Sequence, residues 1–314
     1  MEYVILKDFI KELGIEELYL ADNINDVKIY NTEISRPGLQ MAGYYKKFVP
    51  DRVQIFGNAE WQYLKDMDNE SRYAVLEKFY SYPIPLVVIA RNLEIFPEMI
   101  ELSKKNNISL IRGSSDTSKL VNDLKNGLGL KLAPQVTMHG VMLEVFGIGV
   151  LIIGKSGVGK SETALDLITK GCRLIADDLV EIRRVEDVLR GSCPELIRYF
   201  LEIRGVGILD IERIYGIGAV KQFDYLDLVI ELEEWEDKKE YDRIGLDEEK
   251  IEILGVNLPK ITIPVKPGRN IAMIVEVAAK NNRQRRLGYN AAEVLNERVK
   301  QSIRDRKEFA KENI

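Results

Sequence analysis

LIIGKSGVGKSETALDLITKGCRLIADD runs from Leu151 to Asp178. Its centre, Gly154-Lys155-Ser156-Gly157-Val158-Gly159-Lys160-Ser161, fits the pattern G-x-x-x-x-G-K-[ST] in full. Glycines at this spacing let backbone N–H groups turn inward around phosphates. The lysine reaches the β- and γ-phosphates, and the serine hydroxyl holds a magnesium ion. A helix starting there aims its positive end at the anion. Chance supplies such a match in about one chain in a hundred of this length. The context also fits. Val150–Ile153 is an apolar run suited to a strand, and Glu162–Lys170 has helical spacing with Gly171 as its C′ residue.

Leu174–Ala176 then reads as a second strand that delivers Asp177 and Asp178 at its C-terminal end. In a βαβ unit adjacent strand ends converge on one edge, which places both carboxylates near the γ-phosphate. One could hold Mg²⁺ and the other could accept a proton from an attacking hydroxyl. The same pair is compatible with a helix cap or a solvated strand end.

Working outward, Val141–Phe146 is another apolar run, separated from Val150–Ile153 by Gly147-Ile148-Gly149. This reads as a hairpin, and an antiparallel partner beside the phosphate-loop strand implies a mixed sheet. His139, the one histidine of the chain, stands at the entry of that hairpin and is compatible with a structural and a site role alike. Leu201–Asp210 (LEIRGVGILD) places Glu202 and Arg204 either side of Ile203, before Gly-x-Gly. A carboxylate there could complete a Mg²⁺ shell, but on pattern alone a strand with a bulge is the simpler reading. Pro264-Val265-Lys266-Pro267-Gly268-Arg269 is a loop with two cations, suited to phosphate or to a surface turn. Arg243 stands in an acidic stretch and reads most simply as a local ion-pair partner. Phe223–Glu231 reads as a later strand, followed by an acidic turn over Glu233–Glu240. From Ile271 the pattern is helical, and a charged helix spans about Ala291–Lys311.

The part before the glycine loop alternates helices and short strands. Tyr3–Leu13 has helical spacing with Gly14 as a stop, and Ile84–Ala90 suits a strand buried on both faces. Pro97–Lys105 reads as a helix, Ile108–Arg112 as a strand, and Ser114-Ser115-Asp116 as a cap before a helix over Thr117–Lys125. A helix between strands argues for parallel βαβ units. Asn126–Pro134 has two glycines, a proline and no strong periodicity, so the domain boundary is placed there: 1–130 and 131–314.

At 314 residues, 46% apolar and 30% charged, the chain has the composition of a soluble protein with two domains. A net charge of −5 gives no footprint for nucleic acid. No stretch approaches the ~18 apolar residues of a membrane span, and the N-terminus lacks the pattern of a signal peptide. Cys172 and Cys193 form neither a disulfide framework nor a metal-ligand spacing, so a reducing cytoplasm is expected.

These residues together resemble the bacterial HPr kinase/phosphorylase family over nearly the whole chain. The stretches that carry the resemblance are EISRPGLQMAGYY (Glu33–Tyr45), MHGVMLEVFGIGVLIIGKSGVGKSETALDLI, RLIADDLVEI, PELIRYFLEIRGVGILDI and IPVKPGRN, with LEIRGVGILDI the most specific. The resemblance implies an α/β chain. It comprises a small N-terminal α/β domain for regulation or assembly and a C-terminal P-loop kinase domain similar to phosphoenolpyruvate carboxykinase. It implies phosphorylation of a regulatory serine of HPr by ATP or pyrophosphate with Mg²⁺ or Mn²⁺. It also implies phosphorolysis of phosphoseryl-HPr by inorganic phosphate to give pyrophosphate, and control of carbon catabolite repression. A homohexamer is implied, with fructose bisphosphate activating the kinase and phosphate favouring the reverse reaction. By position, His139, Lys160, Asp178 and Arg243 resemble the active-site residues, with Asp178 as the proton acceptor and the adjacent Asp177 as its alternate. Ser161 and Glu202 resemble the metal ligands. Leu201–Asp210 resembles the segment needed for both activities, and Pro264–Arg269 the loop needed for dephosphorylation. Lys155 departs from the acidic residue common at its position and adds a cation that could tune the choice between ATP and pyrophosphate. Two other readings use the same residues: a nucleotide-sensing regulator, which needs no base, and a small-molecule P-loop kinase, which needs a metabolite pocket.

Overall fold

The computed structural model describes residues 3–236, 239 and 249–312, with side chains to residue 304. The chain divides into two compact units, Met1–Ala133 and Pro134–Ile314.

In the first unit, strands Ile34–Ser35, Val53–Phe56, Leu86–Ile89 and Ser109–Arg112 pair in parallel, and Glu16–Tyr19 pairs antiparallel with the last of them. Every residue of Val53–Phe56 and of Leu86–Ile89 is buried, which explains why Ile84–Ala90 reads as a continuous rather than an alternating run. Val88 and Ile111 face one core with Phe9, Leu124 and Leu128. Val87 and Leu110 face the other with Phe79, Tyr80 and Leu102. The helix expected over Pro97–Lys105 spans Pro97–Asn106, with proline at the helix start, where no amide is needed. The first helix is shorter than its pattern. It spans Leu6–Leu13 because Val4–Ile5 pairs as a strand with Lys28–Ile29.

The segment taken as an irregular boundary is helical. One helix, capped by Asp116, runs from Thr117 to Leu132 and buries Leu120, Leu124 and Leu128. Its two glycines hid it. At Gly127 a Cβ would sit 3.1 Å from Phe9 Cε2, so the missing side chain lets this helix approach the first one closely.

In the second unit a six-stranded sheet has the order Arg173–Ala176, Val141–Val145, Ile148–Gly154, Leu228–Glu234, Val256–Val265, Glu249–Ile253. The phosphate-loop strand Ile148–Gly154 is parallel to Leu228–Glu234 and antiparallel to Val141–Val145. Arg173–Ala176 is itself antiparallel to Val141–Val145. The two strands flanking the phosphate-loop helix are therefore parallel but not neighbours, because the hairpin strand lies between them. The hairpin turns at Phe146-Gly147, both at positive φ, rather than over Gly147–Gly149. Two residues with positive φ match the twist of the flanking strands.

Alternation then splits each strand between two cores. Val141, Leu143, Val150 and Ile152 face helices Lys160–Thr169 and Ile271–Arg286, whereas Met142 and Leu151 face a four-stranded sheet. That sheet has the order Phe223–Tyr225, Val188–Ser192, Leu179–Val185, Gln135–His139. The stretch read as one strand, Phe223–Glu231, is thus two. Phe223–Tyr225 belongs to the four-stranded sheet and Leu228–Glu234 to the six-stranded one, parted at Leu226-Asp227. The acidic turn expected over Glu233–Glu240 begins inside the second of these strands, and positions 237, 238 and 240 lie outside the described residues.

Residues 135–145 and 173–185 form one antiparallel ribbon that leaves one sheet and enters the other. It bends at Gly140 on one side and at Asp177-Asp178 on the other, where the Gly140 N–H donates to Asp178 O at 3.1 Å. Asp178 takes φ 66° at this bend, a left-handed conformation that aspartate tolerates better than most residues.

Candidate active site

The phosphate loop closes between Gly154 and Lys160, with Gly154, Gly157 and Gly159 all at positive φ. Helix Lys160–Thr169 starts from it, and Thr163 Oγ1 ties the first turn to Gly159 O at 2.7 Å. Lys160 Nζ lies across the loop and donates to Gly154 O at 3.0 Å and Lys155 O at 3.1 Å. Lys155 itself is exposed.

The two aspartates part company at the bend. Asp177 is buried. Its Oδ1 accepts from Ser161 Oγ at 3.0 Å and its Oδ2 from the Glu202 N–H at 3.0 Å. Burial pushes the Asp177 carboxyl above the usual carboxylate range. The bonds from Glu202 and Ser161 pull against that shift, and the Asp178 charge adds to it. Asp178 turns the other way, into solvent, with its side chain 78% exposed and Oδ1 3.4 Å from His139 Nδ1. His139 is there because it pairs in register with Leu179 on the ribbon.

Leu201–Asp210 is a hairpin, not a bulged strand. Phe200–Ile203 pairs with Gly207–Asp210, with Leu201 and Ile203 in the core. Its inner strand brings the Glu202 backbone to Asp177. Its tip carries Arg204 over the phosphate loop, where Arg204 Nη2 donates to Ser156 Oγ at 3.2 Å. Sequence reasoning did not select Arg204. A basic residue before a glycine is common, and only the fold shows what the tip reaches.

The loop Pro264–Arg269 leaves the end of strand Val256–Val265. Arg269 Nη1 donates to Pro264 O at 2.8 Å, and Lys266 Nζ lies 5.1 Å from the centre of the Trp235 ring. The Trp235 N–H donates to Val265 O at 3.0 Å. The structure thus brings together His139, Lys160, Ser161, Asp177, Asp178 and the Glu202 backbone. Arg243 lies outside the described residues.

The oxygen-only donors Ser161 and Asp177, with the Glu202 carboxylate on the adjoining hairpin, fit a hard divalent cation. Among the described residues no three His, Cys, Asp or Glu side chains converge as a closed metal cage.

A phosphate cradle with one carboxylate turned in toward its serine and another turned out toward solvent defines a P-loop phosphotransferase. Comparison with known proteins gives the family. The model of the HPr serine kinase C-terminal domain matches residues 130–299, and that of the HPr serine kinase N terminus matches residues 4–128. The HPr kinase/phosphorylase of Caldanaerobacter subterraneus subsp. tengcongensis is 50% identical over 96% of this chain and 99% of its own. That of Peptoclostridium acidaminophilum is 50% identical over 95% and 96%. A solved HPr(Ser) kinase/phosphatase from Coxiella burnetii is 34% identical, covering 52% of this chain and 99% of its own with a TM-score of 0.46. The chain belongs to the HPr kinase/phosphorylase family, and it is a protein-serine kinase/phosphorylase.

Proposed function

We infer that the chain transfers a phosphoryl group from ATP or pyrophosphate to a serine of HPr. It also runs the reverse phosphorolysis, in which inorganic phosphate takes the group from phosphoseryl-HPr and pyrophosphate forms. The observation that carries the reading is the division of labour between the adjacent aspartates. Asp177 has both oxygens engaged and faces the serine of the loop. Asp178 is free at the surface, where a serine on another protein can reach it.

In this reading Lys160 exchanges the carbonyls of Gly154 and Lys155 for donor phosphates, and the loop amides hold those phosphates in line with the acceptor. Asp178 Oδ accepts the serine proton in the forward direction and returns it to the leaving oxygen in reverse. Such positioned proton transfer contributes typically ~10²–10⁴-fold. His139 steadies the Asp178 carboxylate. Ser161 and Asp177 would hold magnesium or manganese, with Glu202 beside them. When bound, the cation neutralises charge on the donor phosphate oxygens. Arg204 is suited to the same developing charge from the opposite side of the loop. Arg243 and the loop Pro264–Arg269 keep the roles implied by family resemblance, site and dephosphorylation respectively.

The same resemblance supports a homohexamer, activation by fructose bisphosphate, a phosphate-driven reverse reaction and an N-terminal unit, about 1–130, for regulation or assembly. A cytoplasmic location agrees with two buried free cysteines. Among the described residues no helix is long and apolar enough to cross a membrane.

The test uses purified protein, γ-labelled ATP and Mg²⁺, with and without HPr. Label on an HPr serine, and pyrophosphate from phosphoseryl-HPr plus phosphate, are the expected results. Release of free phosphate alone would instead mark an ATPase or a nucleotide sensor.

A further inference from the structure

A cavity of 330 Å³ lies within the N-terminal unit, outside the carboxyl ends of strands Leu86–Ile89 and Ser109–Arg112. Open α/β sheets bind ligands at that edge, and a volume of this size is that of a small-molecule site. Backbone bonds close the strand ends beside it. The Arg91 N–H donates to Ser115 O at 3.0 Å and the Asn92 N–H to Gly113 O at 2.9 Å. Arg91 and Asn92 hold φ values of 61° and 50°. Two successive residues with side chains rarely share this left-handed conformation, and strain of this kind gathers at binding sites. The turn so formed carries Asn92 into the lining of the cavity.

We propose that this cavity binds a neutral ring compound with vicinal hydroxyls, either a free sugar or the sugar of a nucleoside. The proposal stands apart from the phosphotransferase reading, which uses no residue of the cavity. Three features point to this occupant. The first is the mixture of donors and acceptors. Asn92, Ser114 and Ser115 each donate and accept, and Asp123 accepts. None of these four side chains has a hydrogen-bond or ion-pair partner among the described residues. A hydroxyl is donor and acceptor at once, so a pair of neighbouring hydroxyls satisfies such a set, whereas a phosphate oxygen only accepts and would face Asp123.

The second feature is charge. Glu16 and Arg112 face each other in register and pair through both carboxylate oxygens, Arg112 Nε to Oε2 at 2.7 Å and Nη2 to Oε1 at 2.9 Å. At the rim Asp116 accepts the Lys119 N–H at 2.9 Å, so the start of helix Thr117–Leu132 is already capped by a protein carboxylate. That bond, with the charges of Arg91 and Lys119, holds the Asp116 carboxyl below the usual carboxylate range. Glu16, Asp116 and Asp123 are thus matched by Arg112, Arg91 and Lys119, and no surplus of either sign selects an ion. The third feature is apolar surface. Leu13, Ile15 and Leu120 line the cavity and give the C–H face of a ring something to cover.

The test presents the full chain with adenosine, glucose and inorganic phosphate and reads binding by saturation-transfer NMR. Variants within the cavity separate it from any other seat for the same compound. Asp123→Ala is expected to weaken the bound compound by about tenfold, the worth of one hydrogen bond to a charged group. Asn92→Gly is expected to weaken it by about fivefold, the worth of a neutral one. Glycine takes a positive φ without strain, so this second variant keeps the fold. ATP affinity by calorimetry should stay within about twofold in both variants, since no residue that holds ATP is changed. Dideoxyadenosine, which lacks the vicinal hydroxyls, should bind about tenfold more weakly than adenosine. Binding of glucose without adenosine would name a free sugar, and the converse a nucleoside. The proposal is overturned if neither compound binds at millimolar concentration, if both variants bind as the wild type does, or if dideoxyadenosine equals adenosine. A phosphate affinity that falls in the variants would overturn it as well, since the cavity would then hold an anion.

Discussion

In the N-terminal unit the strand ends are closed by backbone. The Ala90 N–H donates to Phe56 O, Gly113 to Ile89 O, Asn92 to Gly113 O and Arg91 to Ser115 O, all at 2.8–3.0 Å. In the C-terminal unit the corresponding edge is open for chemistry. Lys160 rests on its own loop, Asp178 stands in solvent, and Asp177 accepts from Ser161 Oγ and the Glu202 N–H. Both units stack strands between layers that bury both faces, and both give the strand ends to loops. Parallel strands supply an edge, whereas glycine-rich backbone and a broken ribbon turn that edge into a site.

Asp178→Asn acts on the open edge alone and has the largest expected effect. Phosphoryl transfer should fall by about 10²–10⁴-fold in both directions while donor affinity and thermal stability hold. Labelled transfer to HPr and calorimetry of ATP read the two halves of that statement. Substantial retained transfer would show that positioning alone drives the reaction.

Arg72→Ala should do the reverse, costing about 3 kcal/mol of stability and leaving donor binding intact. Arg72 and Glu98 form a buried ion pair at 2.7 Å in the N-terminal unit. Burial pushes the Glu98 carboxyl up. The hydrogen bonds and charge of Arg72, with a backbone bond at the helix start, outweigh it and hold it below the usual range. A depressed native pKa means the pair's contribution is complete above the unfolded value of about 4.3 and is lost as pH falls through the lower native one. Denaturant unfolding of the wild type and the variant should therefore differ most at about pH 7, with the gap narrowing as pH falls below about 4.3. A gap that stays constant would assign the loss to packing.

Asp177→Asn should weaken Mg²⁺ by about 10–100-fold, as loss of a cation-side partner does. The cation-free protein should melt no lower, because the raised native pKa of this carboxyl means that its charge opposes folding at neutral pH. Titration of Mg²⁺ and a melting curve without metal check the two parts. The smallest expected effect is that of Gly127→Ala. The helix gains about 1 kcal/mol from alanine, but a Cβ 3.1 Å from Phe9 Cε2 forces that ring aside. A net loss of about 1 kcal/mol in denaturant unfolding is expected. A net gain would show that Phe9 has room.

The phosphate loop was legible because glycines, lysine and serine at fixed spacing have one common use. The buried strands were legible because nothing else explains runs such as LVVI. The end of helix Thr117–Leu132 was not, since Gly127 answers to Phe9, more than a hundred residues away. The break at Leu226-Asp227 was invisible because both flanking segments favour strand and only the sheet they join differs. At the site, the sequence placed both aspartates beside the loop but could not divide them. That division depends on one backbone angle at Asp178 and on which side of the bend each carboxylate faces. Arg204 is likewise a residue of the loop only through its hairpin.

The bent ribbon also sets where the chain can tolerate change in length. Side chains alternate strictly along a strand, so one residue added beside Gly140 or Asp177-Asp178 would exchange the inward and outward faces of every position up to the next turn. Val141 and Leu143 would trade places with Met142, and the two cores would receive each other's side chains. Insertions at Glu186-Asp187, the turn between Leu179–Val185 and Val188–Ser192, carry no such penalty. Relatives should therefore vary in length at that distant turn and keep a fixed count of residues through the bend.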